Sequence, residues 1–398
     1  MTLGPGHGWQ CPAETKELRR GALVAIKFGL LTTFPPTQCG IATFSHALAT
    51  HLRDAGAEVS VVRVVDSPQL PVLMVSHQLV SGRPYAALDA ADVLNECDVA
   101  ILQHEYGIFG GRDGADVLDV LDDVRVPLIA VLHTVLANPT PHQHEVLARI
   151  LDRAEIAVTM THAGRDRLIA GWDTDPAAVR VIAHGAHDSR TAGVSAPRGH
   201  RPTVLTWGLL GEGKGIEWAL EAVASVADLA PQPLYKVVGQ THPRVLERDG
   251  EAYRDRLTAS VRRLGISSMV EFDARYLDTA SLQRIVRSAD VVLLPYDSRD
   301  QVTSGVLTEA VVAGRPVIST AFPHALELLS SGAGLVVPRH DPAAIATALR
   351  RVLTEPGLAA SMTATAERLA PALLWSAVAR RYVALAGTLV RVRASSVA

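Results

Sequence analysis

The chain has 398 residues, enough for two or three domains, and 48% of them are hydrophobic, which supplies material for large cores. A formal net charge of -3 gives no broad basic surface for nucleic acid or an anionic membrane, and leaves only local basic sites open. The three scattered cysteines, Cys11, Cys39 and Cys97, exclude a disulfide framework and a zinc site and fit a reducing cytoplasm.

In chain order, residues 1–20 read as a loose leader without an apolar core, and no later run approaches the roughly eighteen apolar residues of a membrane span. A chain without a transmembrane segment is expected, with contact at a membrane surface left open. ALVAIKFGLL is a first strand, and TTFPPTQCG is a loop. Ile41, Phe44, Leu48 and Leu52 then recur at helical spacing until Gly56 opens another strand. Asp66 to Pro84, polar and proline-bearing, is expected to be an excursion or short hairpin. DVAILQHEYGIFGG gives a strand and a glycine-rich loop, and a further strand ends at His133. His142 and His144 fall in a proline loop without metal-ligand spacing and are expected to be solvated. A helix over Val146 to Arg153, the strand IAVTM, a helix from His162 and the strand VRVIAHG complete an amino-terminal α/β domain over 21–188.

Small residues, glycine and proline at 189–202 read as a linker. A second α/β domain is expected over 203–375, with a closing helix and tail at 376–398. Its central stretch is ADVVLLPYDSRDQVTSGVLTEAVVAGRPVIST. This reads as a buried strand at Val291 to Leu294, a polar loop, a helix from about Ser304 to Ala313 with Gly314 at its end, and a strand from Val317. That parallel βαβ unit places its loop and helix N-terminus at the carboxyl edge of a sheet, where open α/β folds bind ligands.

Lys214 is one of only four lysines and lies among Gly211, Gly213 and Gly215. Glycines let backbone N–H groups approach an anion closely, and the ammonium adds a compact positive charge, so a diphosphate is the natural guest. The other reading is a flexible turn with a solvated lysine. Gly208, Gly213 and Lys214 also satisfy most of the nucleotide phosphate-loop pattern, but Gly215 supplies no hydroxyl for Mg²⁺, which disfavours a nucleoside triphosphatase. Glu309, two helical turns after Gln301, suits a ribose as a carboxylate that accepts two hydroxyl bonds, and the Gln301 amide suits a sugar. A solvated helical Glu and a loop Gln are the plain alternative.

Taken together, these segments resemble the retaining glycosyltransferases of family four, from about Leu23 to Leu389. The family's Glu-x7-Glu pattern falls on Gln301 and Glu309, its glycine loop with a basic pair on WGLLGEGKG, and its amino-terminal glycine loop on PTQCGIATF. AVLHT, VIAHGAHD and LLWSAVARRYVAL match further segments in order. The resemblance implies a GT-B fold: two Rossmann-like domains facing a cleft, with a carboxyl-terminal helix crossing back to the first. It implies a nucleotide-sugar donor, a UDP- or GDP-sugar foremost, held by Gly40, Gly208, Gly213, Lys214, Gln301, Ser304, Gly305, Val306, Leu307 and Glu309. His133, Gln301 and Lys214 would be the catalytic group, and neither a tightly bound cofactor nor a metal is called for.

Departures from the pattern are specific. Gln301 replaces the first glutamate, so no carboxylate nucleophile is available there. Leu209 replaces the arginine of the basic pair, with Arg299 as a candidate substitute, and Ser304 and Gly305 shift the family's glycine by one position. On the acceptor side Gln103, His104 and Glu105 end a strand, where they either bind sugar hydroxyls or form a structural network. His133 likewise either faces the transferring sugar or holds a strand end. The expectation is a retaining glycosyltransferase acting on a hydroxyl acceptor. A glycoside phosphorylase of the same fold and a non-catalytic sugar-nucleotide or glycan binder are the alternatives. Nothing in the sequence sets the oligomeric state.

Overall fold

The computed structural model describes residues 25–189 and 201–397. The expected leader at 1–20 and nearly all of the expected linker at 189–202 lie outside the described residues.

The first half runs β1 (Lys27–Thr32), α1 (Gly40–Asp54), β2 (Glu58–Val65), β3 (Val75–Val80), α2 (Ala86–Asn95), β4 (Val99–His104), α3 (Val117–Leu121), β5 (Leu128–Leu132), α4 (Pro141–Arg153), β6 (Ile156–Thr159), α5 (His162–Trp172) and β7 (Val179–Val181). Its strands make a parallel sheet in the order β3-β2-β1-β4-β5-β6-β7, with β1 in register on β4 through Phe28 opposite Val99. A sheet covered by helices on both faces needs strands apolar on both sides, and every residue of β4 and β5 is buried. The Asp66 to Pro84 segment is not a hairpin: β3 pairs with β2 in parallel, as an edge strand extending the sheet. An edge strand has one pairing partner and a half-solvated face, so it lacks the apolar run that reveals its neighbours.

The helix expected from Val146 starts earlier, at Pro141. Thr140 accepts from the Gln143 N–H while the Gln143 side chain accepts from the Thr140 N–H, a reciprocal cap with proline in the first turn. His142 and His144 are therefore helical rather than in a loop, with His144 exposed to solvent and His142 half-buried. His142 Nδ1 lies 2.8 Å from Asp113 Oδ2, and His144 stacks on Trp172 at 5.0 Å.

The second half runs β8 (Thr203–Trp207), α6 (Ile216–Ala224), β9 (Leu234–Val238), α7 (Pro243–Asp249), α8 (Ala252–Arg263), β10 (Val270–Asp273), α9 (Thr279–Ser288), β11 (Val291–Leu294), α10 (Gly305–Val312), β12 (Val317–Thr320), α11 (Pro323–Leu329), β13 (Gly334–Val337), α12 (Pro342–Thr354), α13 (Leu358–Leu373) and α14 (Trp375–Val397). The strands form a second parallel sheet, β10-β9-β8-β11-β12-β13.

The chain passes between the two halves at two touching places. The Ala186 N–H donates to the Leu373 carbonyl at 2.8 Å, and the Trp375 N–H donates to the Ala186 carbonyl at 3.0 Å. Beyond that bridge α14 returns to the first sheet, where Trp375, Val378, Ala379, Tyr382 and Ala386 join Phe28, Phe44 and Leu48 in one core.

Candidate functional site

Both sheets reverse winding direction once, between β1 and β4 and between β8 and β11. Loops leaving such neighbouring strands diverge and open a crevice at the carboxyl ends. Residues beyond the strand ends of the two sheets meet across the space between them. The Gln240 amide donates to Gln38 Oε1 at 2.6 Å, and the Arg244 guanidinium donates to the Gly107 carbonyl. Further along, Thr161 Oγ1 donates to the Val302 carbonyl at 2.9 Å, and the Glu327 carboxylate accepts from the His162 and Ala163 N–H groups.

On the second sheet, the turn after β8 needs glycine. Gly213 and Gly215 have φ of +85° and +64°, and a Cβ on Gly215 would fall 1.9 Å from the Pro295 carbonyl oxygen. Between them Lys214 reaches over the Tyr296 ring, its Nζ 4.5 Å from the centroid. Burial alone holds its ammonium below the usual lysine range, and among the described residues no carboxylate forms an ion pair with it. The start of α10 stands beside this turn, because the nearest atom to a Cβ on Gly208 would be Val306 Cγ2 at 3.9 Å. Ser304 caps α10, its Oγ accepting from the Leu307 N–H at 3.2 Å, and its own N–H donates to His324 Nδ1 at 2.9 Å.

The structure thus brings Gly208, Gly213, Lys214, Ser304, Gly305 and Val306 to one crevice. Gly40, in the first turn of α1, would have nothing within 4 Å of a Cβ, so its backbone borders open space. Gln301 is half-buried on the loop before α10, and its amide makes no hydrogen bond to the described residues. Leu307 has its side chain in the core and its N–H already capped by Ser304. Arg299 is exposed and makes no ion pair among the described residues, so nothing draws it toward Lys214. Glu309 is not free to accept two ribose hydroxyls on both oxygens. Its Oε1 is taken by His187, through Nδ1 at 2.9 Å and the backbone N–H at 3.2 Å.

Residues 201–355 match the family model described as glycosyl transferases group 1. That segment is similar to the group 1 glycosyltransferases, and the chain has a GT-B fold. It is 27% identical over 282 residues to a D-inositol 3-phosphate glycosyltransferase of Corynebacterium kroppenstedtii, covering 64% of this chain and 60% of that protein. A protein of the same name from Kineococcus radiotolerans is 27% identical over 392 residues, covering 85% of this chain and 88% of that one. The alignments to the first two Corynebacterium relatives span 60% and 65% of their lengths, under two thirds. Among solved structures, Anabaena Alr3699/HepE in complex with UDP and glucose superposes with a TM-score of 0.73 at 16% identity, over 91% of this chain and all of that one. Sucrose-phosphate synthase from Thermosynechococcus elongatus gives 0.71 at 20% identity, over 92% and 99%. At these identities the superpositions establish the fold.

In the first half, the ends of β4 and β5 carry a tight polar set. His133 Nε2 lies 2.7 Å from Gln103 Oε1, and the His133 ring meets Phe44 edge-on at 4.8 Å. Glu105 accepts from Thr134 Oγ1 at 2.5 Å and from the Tyr106 N–H at 3.0 Å, and burial raises its carboxyl above the usual range. His104 is buried with Nδ1 unpartnered. Three residues not singled out from the sequence touch these candidates: His184, whose Nε2 would lie 2.7 Å from a Cβ on Gly305; His187 on Glu309; and Tyr296 beneath Lys214. His184 and His187 lie within the matched segment VIAHGAHD, and the signal for Tyr296 was its place just after the strand VVLL. Among the described residues no group of three or more His, Cys, Asp or Glu converges as a metal site, and no helix is long and apolar enough to cross a membrane.

Burial pushes His133 and His324 down to about 3 and His104 to about 4. All three are neutral in the fold, whereas in the unfolded chain they take up a proton near pH 6.5. The unfolded state therefore binds more protons as pH falls through that value. Their contribution is fully present above about pH 6.5 and is lost toward pH 4, each imidazole adding a slope of about 1.4 kcal/mol per pH unit. Urea titrations between about pH 7 and pH 5 measure this, and His324→Asn is expected to lower the slope by one proton. A slope unchanged in that variant would show that His324 is not neutral in the fold.

Proposed function

We propose that this glycosyltransferase moves a sugar from a nucleoside diphosphate sugar to a hydroxyl acceptor, with retention of anomeric configuration, in the cytoplasm. The observation that carries the reading is Lys214, a half-buried cation without a carboxylate partner among the described residues, set in a glycine turn at the mouth of the crevice. A desolvated charge is costly unless paired, and a diphosphate entering the crevice supplies the missing charge. The donor with the best support is a UDP-sugar, since UDP occupies a fold neighbour. The relatives' names point to a polyol acceptor such as an inositol phosphate.

In this reading Lys214 and the N-terminus of α10 stabilise the leaving diphosphate. Gln301 cannot act as a nucleophile, so transfer proceeds on one face of the sugar, with the departing phosphate oxygen taking the acceptor proton. His133, neutral and engaged by Gln103, acts as a hydrogen-bond partner to the sugar rather than as a base. Glu105 borders the acceptor, with the buried Gln103 and His104 behind it. Glu309 offers Oε2 to the ribose while His187 fixes its orientation.

A thermal-shift panel of UDP, GDP, ADP and their sugar conjugates tests the proposal, because a ligand bound to the folded state raises its melting temperature. A hit identifies the base, and proton NMR of the product made from that donor reports the anomer. No shift with any nucleoside diphosphate, at concentrations well above ordinary donor affinities, would overturn the reading. Turnover that requires free phosphate would instead identify a phosphorylase.

A further inference from the structure

The segment after β9 is zipped onto the glycine turn. The Leu210 N–H donates to the Gln240 carbonyl and the His242 N–H donates to the Leu210 carbonyl, both at 2.8 Å. Val245 Cγ2 lies 3.2 Å from where a Cβ on Gly211 would stand. Arg244, in the first turn of α7 three residues beyond the Leu210–Thr241 bridge, is therefore carried along the same turn that holds Lys214. Its side chain is exposed and spans the crevice to the Gly107 carbonyl, and a Cβ on Gly107 would lie 2.8 Å from Nη1. A neutral carbonyl is a poor match for a guanidinium, which pairs best with the two oxygens of a phosphate or carboxylate. Among the described residues no carboxylate forms an ion pair with Arg244 at the distance of a salt bridge. His242 lies in the combined field of these two cations: burial first, then the charges of Arg244 and Lys214, hold its imidazole below the usual range.

Resting on the donor reading above, we propose that Arg244 is the second cation of the diphosphate site, supplying from the β9 segment the charge that Leu209 does not. In the ligand-free molecule the guanidinium rests on the Gly107 carbonyl. On donor binding it transfers its hydrogen bonds to the phosphate oxygens, and the loop from Gly107 to Gly111 on the acceptor side is released. Donor arrival is thereby coupled to acceptor access by one side chain with two alternative partners.

Calorimetric titrations of UDP against UMP, and of GDP against GMP, test this on the wild-type chain, Arg244→Ala, Arg244→Lys and Arg248→Ala. Arg248 lies on the same helix and pairs with Asp249. The terminal phosphate is expected to strengthen binding in the wild type. In Arg244→Ala that advantage falls by roughly tenfold or more, Arg244→Lys keeps part of it, and Arg248→Ala keeps all of it. Loss of a merely structural strap would weaken both nucleotides alike and leave the ratio unchanged. A wild-type ratio in Arg244→Ala overturns the proposal while the donor reading stands. A wild-type chain that binds no nucleoside diphosphate overturns both.

Discussion

Lys214→Ala is expected to move stability in opposite directions with and without ligand. In the ligand-free chain, burial lowers the lysine's pKa below its usual 10.5, so the charged ammonium is less at ease in the fold than in the unfolded chain. Removing it raises the ligand-free melting temperature. In the wild type the unfolded state holds the proton more tightly, so stability rises with pH as the folded pKa is passed and levels off near 10.5; this rise is absent in the variant. With a nucleoside diphosphate present the variant loses a charge-assisted contact worth about 1.5 to 3 kcal/mol, which weakens binding roughly ten- to a hundredfold. A melting scan with and without UDP reads both effects. Equal UDP-induced shifts in variant and wild type would remove Lys214 from the site.

Trp375→Ala is expected to cost about 3 to 5 kcal/mol in urea unfolding, the range for removing a buried large aromatic ring. Trp375 is 2% exposed, and its ring fills the space where Gly185 has no side chain: a Cβ there would meet it at 2.2 Å. It also meets Phe44 edge-on at 4.8 Å, and Phe44 meets both His133 and His184. The cavity therefore opens behind the site, and turnover is expected to fall more than the stability loss at assay temperature explains. A cost below about 1 kcal/mol would mean that the closing helix does not support the amino-terminal core.

Much of this fold was legible because its strands are buried on both faces. VVLL, LIAVL and VAILQH announce themselves as apolar runs, and glycines with positive φ punctuate the helices after them. β3 was obscure because an edge strand lacks that run, and α7 and α11 because seven-residue helices show barely two turns of periodicity. Within the site, Lys214 and the α10 start were visible because unusual residues sit at fixed places in a βαβ unit. His187 and Arg244 were not, since each acts on a residue over a hundred positions away, at Glu309 and Gly107. Arg299 drew notice by proximity in sequence to Gln301, and sequence distance says little about which loop residue turns inward.

One consequence follows from where the loop before α10 is anchored. Val302 packs in the core of the first sheet, its carbonyl accepts from Thr161, and Arg167 donates to the Asp300 carbonyl at 3.2 Å. The segment bearing Gln301 is thus held by the lobe opposite the one whose sheet it belongs to. Both lobes therefore set where Gln301 stands. In the proposed reaction, the donor pocket on one lobe thus takes its final shape only with the other lobe in place.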